Sequence, residues 1–150
     1  MGAIASGGIR VLNDDVVGRL AIPGDEIDAV AAKEVNELGR RERLYRGARP
    51  PHDIRGRTVI IVDDGLATGA TMRAAIAALR QLQPARVVVA VPTAAPDTAG
   101  QLGKEADDIV CVITPEPFFA VGQWYEDFEQ VSDAEVGVLL RAAQRDRKVC

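Results

Sequence analysis

Residues 58–71, Thr-Val-Ile-Ile-Val-Asp-Asp-Gly-Leu-Ala-Thr-Gly-Ala-Thr, constrain the fold more than any other stretch of the chain. Four β-formers, Val59 to Val62, run into two adjacent carboxylates, Asp63 and Asp64. A loop of small residues follows, and Thr71 and Met72 then open an amphipathic run. Met72, Ala75, Ile76, Leu79 and Leu82 share one face of that run at helical spacing. The order is buried strand, acidic turn, small-residue loop, helix.

A buried parallel strand delivers its last residues to the carboxyl edge of a sheet, where open α/β folds bind ligands. The helix that follows aims its free N–H groups and its positive dipole end at the same place. Gly69 admits an anion close to the backbone, Ala67 and Ala70 add little bulk, and Thr68 and Thr71 add hydroxyl donors. Together these residues predict a phosphate cup. Asp63 and Asp64 repel a phosphate and suit hydroxyl groups or a divalent cation. A ligand with both a phosphate and a diol fits the whole turn.

Three other loop chemistries fit less well. A mononucleotide P-loop needs a Lys after its last Gly, and Ala70 follows Gly69. A dinucleotide fingerprint needs G-x-G-x-x-G, which residues 65–69 do not supply. An aspartyl-phosphate enzyme would place a Lys at a later strand end, but Pro92-Thr93 and Thr114-Pro115 stand there.

The rest of the chain reads as α/β. Val59–Val62, Val87–Val91 and Ile109–Ile113 are continuous apolar runs, the mark of parallel strands buried on both faces. Ile9–Leu12 is a fourth candidate. Asp25 can cap a helix with Ile27, Val30, Ala31, Val35 and Leu38 on one face. Helices are also expected over Thr71–Leu82, closed by Pro84, and over Thr98–Ala106. Ser132-Asp-Ala-Glu135 is a capping-box sequence opening a last helix, with Val136, Leu139, Leu140 and Ala143 expected inward. Strands alternating with helices predict an open, mostly parallel sheet with flanking helices. At 150 residues, one domain over 1–150 is expected. The net charge of −4 disfavours nucleic-acid binding, and no apolar run approaches a membrane span. Cys111 sits in a strand pattern and Cys150 is the last residue, so no disulfide framework is expected and a cytoplasmic setting fits.

The segment from Val59 to Thr71 resembles the ribose-phosphate motif of the type I phosphoribosyltransferases. It departs from that pattern at Gly65, where the family usually has an aliphatic residue or Ser. The resemblance implies a type I phosphoribosyltransferase-like sheet and a reaction on 5-phosphoribosyl-1-pyrophosphate (PRPP). A nitrogen base would displace pyrophosphate, with Mg2+ bound. Asp63 and Asp64 would take the ribose and catalytic role. Ala67, Thr68, Gly69, Ala70 and Thr71 would hold the 5′-phosphate. A non-catalytic PRPP- or nucleotide-binding regulatory module, or an inactive relative, is the alternative.

Two further segments gain meaning from this resemblance. Residues 40–51 carry five arginines. They read either as a solvated helix end followed by a stiff loop, or as a mobile lid whose guanidinium forks grip pyrophosphate. The family places a flexible loop here, which makes Arg41, Arg43 and Arg46 candidates; His52 reads as a surface residue. Phe119-Ala-Val-Gly122, with Glu126 four residues on, resembles the base-binding segment of the 6-oxopurine enzymes. Phe119 would stack on the base beside Ala120, and Glu126 would help bind Mg2+-pyrophosphate. The family version that handles 6-oxopurines has an acid at the position of Ala67, so adenine or another nitrogen heterocycle is the better acceptor.

The family fold usually opens with a strand and a pyrophosphate loop ahead of most of what this sequence contains. No apolar strand is legible before Gly7-Gly8. The expectation is a domain incomplete at its amino terminus, with exposed apolar edges and a tendency to form homo-oligomers.

Overall fold

The computed structural model describes residues 2–5, 9–47, 49 and 52–146. Its elements in chain order are β1 (Gly2–Ala5), β2 (Ile9–Leu12), α1 (Asp14–Leu20), α2 (Gly24–Arg46), β3 (Thr58–Val62), α3 (Ala70–Gln81), β4 (Arg86–Thr93), α4 (Pro96–Leu102), β5 (Asp108–Ile113), a 3-10 helix (Val121–Trp124) and α5 (Asp133–Asp146). Gly7-Gly8 and Cys150 lie outside the described residues.

β3, β4 and β5 form a parallel sheet in that order, with Val59 opposite Val87 and Val89 opposite Ile109. Side chains alternate across a strand, so Ile61, Val87, Val89, Val91, Ile109 and Cys111 share one face. Met72 and Ile76 of α3 and Ala99 and Leu102 of α4 pack onto it, and Leu66, Ala94 and Ala106 complete the core. Val87, Val89 and Leu102 are fully buried. The three strands are therefore tied together by two helices on the same side.

The opposite face is bare among the described residues. Ile60 is 62% exposed, Val62 74%, Val110 55% and Val112 79%. Val88 and Ala90, between them, are half-buried. Parallel strands of this composition belong in a sheet covered on both sides. Among the described residues β3 is also an edge, with β4 as its partner.

Behind α3 lies a two-stranded antiparallel sheet of β1 and β2, with Gly2 opposite Leu12 and Ala5 opposite Ile9. α2 packs on β1 and buries Ile27. This corrects the expectation for Ile9–Leu12, which does not join the main sheet, and adds the strand β1. Gly2-Ala-Ile-Ala is too short and too small to read as a strand until a partner is seen beside it.

Several helix limits differ from their expected places. α2 begins at Gly24 with Pro23 at the N-cap, and Asp25 lies in the first turn without capping. α4 begins at Pro96, whose fixed φ suits a first helical position, and it ends at Leu102. α3 stops at Gln81, leaving Leu82 exposed, off the buried face. α1 is an added helix, capped by the Asn13 side chain, which accepts the N–H of Val16 at 3.1 Å. The capping box is present. Glu135 N–H donates to Ser132 Oγ at 3.3 Å and Ser132 N–H donates to Glu135 Oε2 at 2.9 Å. Of the residues expected inward on the helix it opens, Val136 is half-buried. Leu139 is 63% exposed, and Leu140 and Ala143 are exposed too. α5 is held instead at its start, where Asp133 pairs with Arg40 at 2.8 Å and accepts the Tyr45 hydroxyl at the end of α2.

Candidate functional site

The acidic turn stands at the carboxyl end of β3. Its β-branched strand residues hold Asp63 at the sheet edge, half-buried, with Asp64 exposed beside it. Burial pushes the Asp63 carboxyl above its ordinary value, and the Asp64 charge adds to this. The N–H of Asp64, which donates to Asp63 Oδ1 at 3.0 Å, opposes it. Asp63 is thus a partly desolvated carboxylate whose remaining acceptor positions favour a hydrogen-bond donor.

The loop after it is anchored at each step. Leu66 N–H donates to Thr93 O at 3.0 Å and Ala95 N–H to Leu66 O at 2.9 Å, which stitches the loop to the end of β4. Thr98 Oγ1 donates to Ala67 O at 2.6 Å. Arg73 Nη1 donates to Thr68 O at 3.1 Å. Gly69 is buried in the left-handed region at φ +71° and is the N-cap of α3. A Cβ there would stand 2.8 Å from Thr98 Cγ2, so the site demands glycine on two counts. Ala70 and Thr71 then open α3 with no acid in its first turn. The first N–H groups of that helix have no intrahelical partner and face the loop. Ala67 and Thr68 thus lead through the Gly69 N-cap directly into Ala70 and Thr71, the first residues of α3.

Gly65, the departure from the family pattern, has a local cause. A Cβ at this position would lie 2.6 Å from Val121 Cγ1 and 3.0 Å from Thr93 Cγ2. The 3-10 helix occupies the space that a side chain would otherwise fill.

That helix brings the aromatic segment to the acidic turn. Tyr125 Oη donates to Asp64 O at 2.6 Å, and the Tyr125 ring lies 5.1 Å from that of Phe128. Phe128 in turn packs where a side chain on Gly122 would be. Tyr125 was not among the residues singled out from sequence, since a lone tyrosine in an aromatic run carries no signal for a backbone contact 61 residues away. Phe119 is 76% exposed, and Ala120 and Glu126 are exposed as well.

The arginines stand elsewhere. Arg41, Arg43 and Arg46 lie in the last turns of α2, which ends at Arg46, and residues 48, 50 and 51 of the same segment lie outside the described residues. Arg41 pairs with Glu37 at 2.8 Å, and Arg40 and Arg41 together hold the Glu37 carboxyl down to about 2. Arg41 lines a cavity of about 480 Å³ between β1, β2 and α2, and Thr71 reaches the same cavity. The described residues contain no group of three or more His, Cys, Asp or Glu side chains arranged around a metal position. Asp63, Asp64 and Glu126 offer hard oxygen donors. Such a set suits a Mg2+ ion carried mainly by phosphate oxygens and water rather than a closed protein cage. No helix among the described residues is long and apolar enough to cross a membrane.

Comparison with known proteins agrees with this geometry. Residues 3–128 match the phosphoribosyl transferase domain family. A Mycobacterium tuberculosis H37Rv protein, Rv0571c, whose name assigns it provisionally to the phosphoribosyl transferases, is 46% identical over 145 residues. Those residues are 97% of this chain and 33% of that protein, so the chain spans about a third of that relative's length. The bifunctional protein PyrR of Roseiflexus sp. RS-1 is 38% identical over 100 residues, 59% of this chain and 54% of its own. The crystal structure of TT1426 from Thermus thermophilus superposes with a TM-score of 0.71 at 38% identity, over 91% of this chain and 64% of that one. With the family match running over residues 3–128 and a solved structure of the same fold at 38% identity, the chain belongs to the phosphoribosyl transferase domain family.

Proposed function

We propose that residues 63–71 bind the ribose 5-phosphate moiety of PRPP and that the site serves its transfer to a nitrogen base. The observation that carries this reading is the half-buried Asp63 followed within six residues by the glycine-capped start of α3. Hydroxyl-binding carboxylates and an anion-binding helix start are thereby joined in one rigid turn.

In the reaction, the bond from ribose C1 to the pyrophosphate oxygen breaks and its electron pair leaves with pyrophosphate. A base nitrogen lone pair forms the new C1–N bond, and the proton lost from the base passes to solvent or to a nearby carboxylate. Asp63 and Asp64 accept hydrogen bonds from the ribose hydroxyls, and their charge favours the cationic ribosyl group in the transition state. Residues 67–71 fix the 5′-phosphate, so the sugar is held in line for attack. Mg2+, when bound, would neutralise pyrophosphate as it leaves, with Glu126 as its candidate protein contact. Arg41, Arg43 and Arg46 are candidates for pyrophosphate itself, and Phe119 with Ala120 for the base. Ala67 offers no proton-transfer group, which favours adenine or another nitrogen heterocycle over hypoxanthine and guanine. A cytoplasmic setting accords with the free, partly buried Cys111.

A second reading, a PRPP- or nucleotide-binding regulatory module, rests on one observation. The hydrogen bonds that hold residues 64–68 come from the end of β4, α3, α4 and Tyr125. Among the described residues no strand flanks the other side of β3. An assay of pyrophosphate release from PRPP against a panel of bases separates the two. Base-dependent release supports transfer, whereas PRPP binding without release supports the regulatory module.

A further inference from the structure

Two side chains outside the anion loop take hold of consecutive loop carbonyls. Thr98, on α4 and only 8% exposed, donates to Ala67 O at 2.6 Å. Arg73, on the second turn of α3, donates through Nη1 to Thr68 O at 3.1 Å. Arg73 is itself fixed by Nη2 to Gln101 Oε1 at 2.7 Å and Nε to Glu105 Oε1 at 3.0 Å. The guanidinium is therefore a braced fork rather than a swinging side chain.

The consequence follows from peptide geometry. In a trans peptide the C=O of one residue and the N–H of the next point in opposite directions. Pinning Ala67 O to Thr98 aims Thr68 N–H the other way. Pinning Thr68 O to Arg73 aims Gly69 N–H away from α4 as well. The side chains of Ala67 and Thr68 are exposed, so the side opposite buried Thr98 is the open one. Among the described residues neither N–H has a protein acceptor. Two donors are thus presented side by side next to the free N–H groups that open α3.

We infer that Thr98 and Arg73 are positioning residues that orient the Thr68 and Gly69 amides toward the 5′-phosphate. This rests on the reading that residues 67–71 hold a phosphate. Each residue acts on one peptide: Thr98 on 67–68, Arg73 on 68–69. A loop left to itself could rotate either plane and present a carbonyl to the anion instead, which would repel it. The two anchors hold the donor-inward arrangement before ligand arrives.

The test is amide-resolved NMR of the 150-residue chain, titrated with ribose 5-phosphate, for wild type, Thr98→Val, Thr98→Ser, Arg73→Met and Arg73→Lys. In wild type, ligand is expected to move the Thr68 and Gly69 amides. Thr98→Val should displace the free-state Thr68 amide and weaken binding roughly five- to tenfold, the worth of one oriented hydrogen bond. Thr98→Ser, which keeps the hydroxyl, should restore both. Arg73→Met should act on the Gly69 amide in the same way, with partial recovery in Arg73→Lys. A residue that merely packed would lower thermal stability without this one-to-one pattern. Undiminished binding in Thr98→Val and Arg73→Met, with wild type responding, overturns the positioning roles alone. No response in wild type overturns the phosphate reading and the positioning roles with it.

Discussion

The Tyr125 hydroxyl donates to the main-chain carbonyl of Asp64 at 2.6 Å, fastening the aromatic segment to the second of the two carboxylates. The contact fixes the peptide that follows Asp64, and so the height of the acidic turn over the sheet. Replacing Tyr125 by Phe keeps the ring against Phe128 and removes the tether. We expect ribose 5-phosphate affinity to fall about three- to tenfold with a small loss of stability, measured by calorimetric titration and thermal unfolding. An unchanged affinity would mean that the turn holds its shape without the aromatic segment.

Gly65 and Val121 predict a compensating pair. Gly65→Ser should destabilise the chain by about 1–3 kcal/mol, because a Cβ would press on the stiff Val121 side chain. Val121→Ala on that background should recover most of the loss, since it vacates the contested space. Thermal or urea unfolding of the single and double variants reads this directly. Equal destabilisation with and without Val121 would remove packing as the reason for glycine here.

Much of the site was legible because its chemistry is local. Val59 to Thr71 sets strand, turn and helix within one short stretch, and the glycine at 69 is required by its own φ. What escaped depends on residues far apart in the chain. Val121 against Gly65, Tyr125 against Asp64 and Thr98 against Ala67 are tertiary contacts with no periodicity to announce them. Ile9–Leu12 is a strand as expected, but its partner β1 escaped because four small residues become a strand only beside another one. Leu139 and Leu140 were expected inward from spacing alone, and spacing identifies an apolar stripe without saying whether anything covers it.

Asp63 predicts a trade between stability and function. Its carboxyl is raised in the folded state, chiefly by burial. A folded state that holds the proton more tightly loses stability as pH rises above the ordinary value of 3.8 through the raised one. At neutral pH the charge is therefore a net cost. Asp63→Asn keeps an oxygen for the Asp64 N–H and should raise the melting temperature at pH 7 by about 1–4 °C. It should also flatten the pH dependence just above 3.8. A lower melting temperature would contradict the burial cost.

Asp107 runs in the opposite direction. Arg80 at 2.8 Å, and then the N–H of Val87 at 2.6 Å, hold its carboxyl below the ordinary value, tying the start of β5 to that of β4. A depressed carboxylate contributes stability above its unfolded value, and that stability is lost as pH falls through the folded one. Asp107→Asn should lower the melting temperature at pH 7 and reduce the further fall on acidification below about pH 4. Parallel melting curves for both proteins across pH 2–7 would contradict the role.

The bare face of Ile60, Val62, Val110 and Val112 predicts self-association of the 150-residue chain. Light scattering after size exclusion should give a mass above that of one chain. Val110→Thr with Val112→Lys should shift it toward monomer while the core, on the other face, keeps its melting temperature within a few degrees. A monodisperse wild-type monomer would contradict the expectation.

Asp63, Asp64 and the loop to Thr71 are read as a ribose 5-phosphate site. Calorimetric titration with ribose 5-phosphate and PRPP decides this, using wild type, Asp63→Asn/Asp64→Asn and Gly69→Glu. Wild type should bind both ligands. The double variant should lose affinity for the sugar while keeping weak binding of inorganic phosphate, and Gly69→Glu should lose all three ligands. Equal binding by wild type and the Asp63→Asn/Asp64→Asn variant would contradict a ribose role for the two carboxylates.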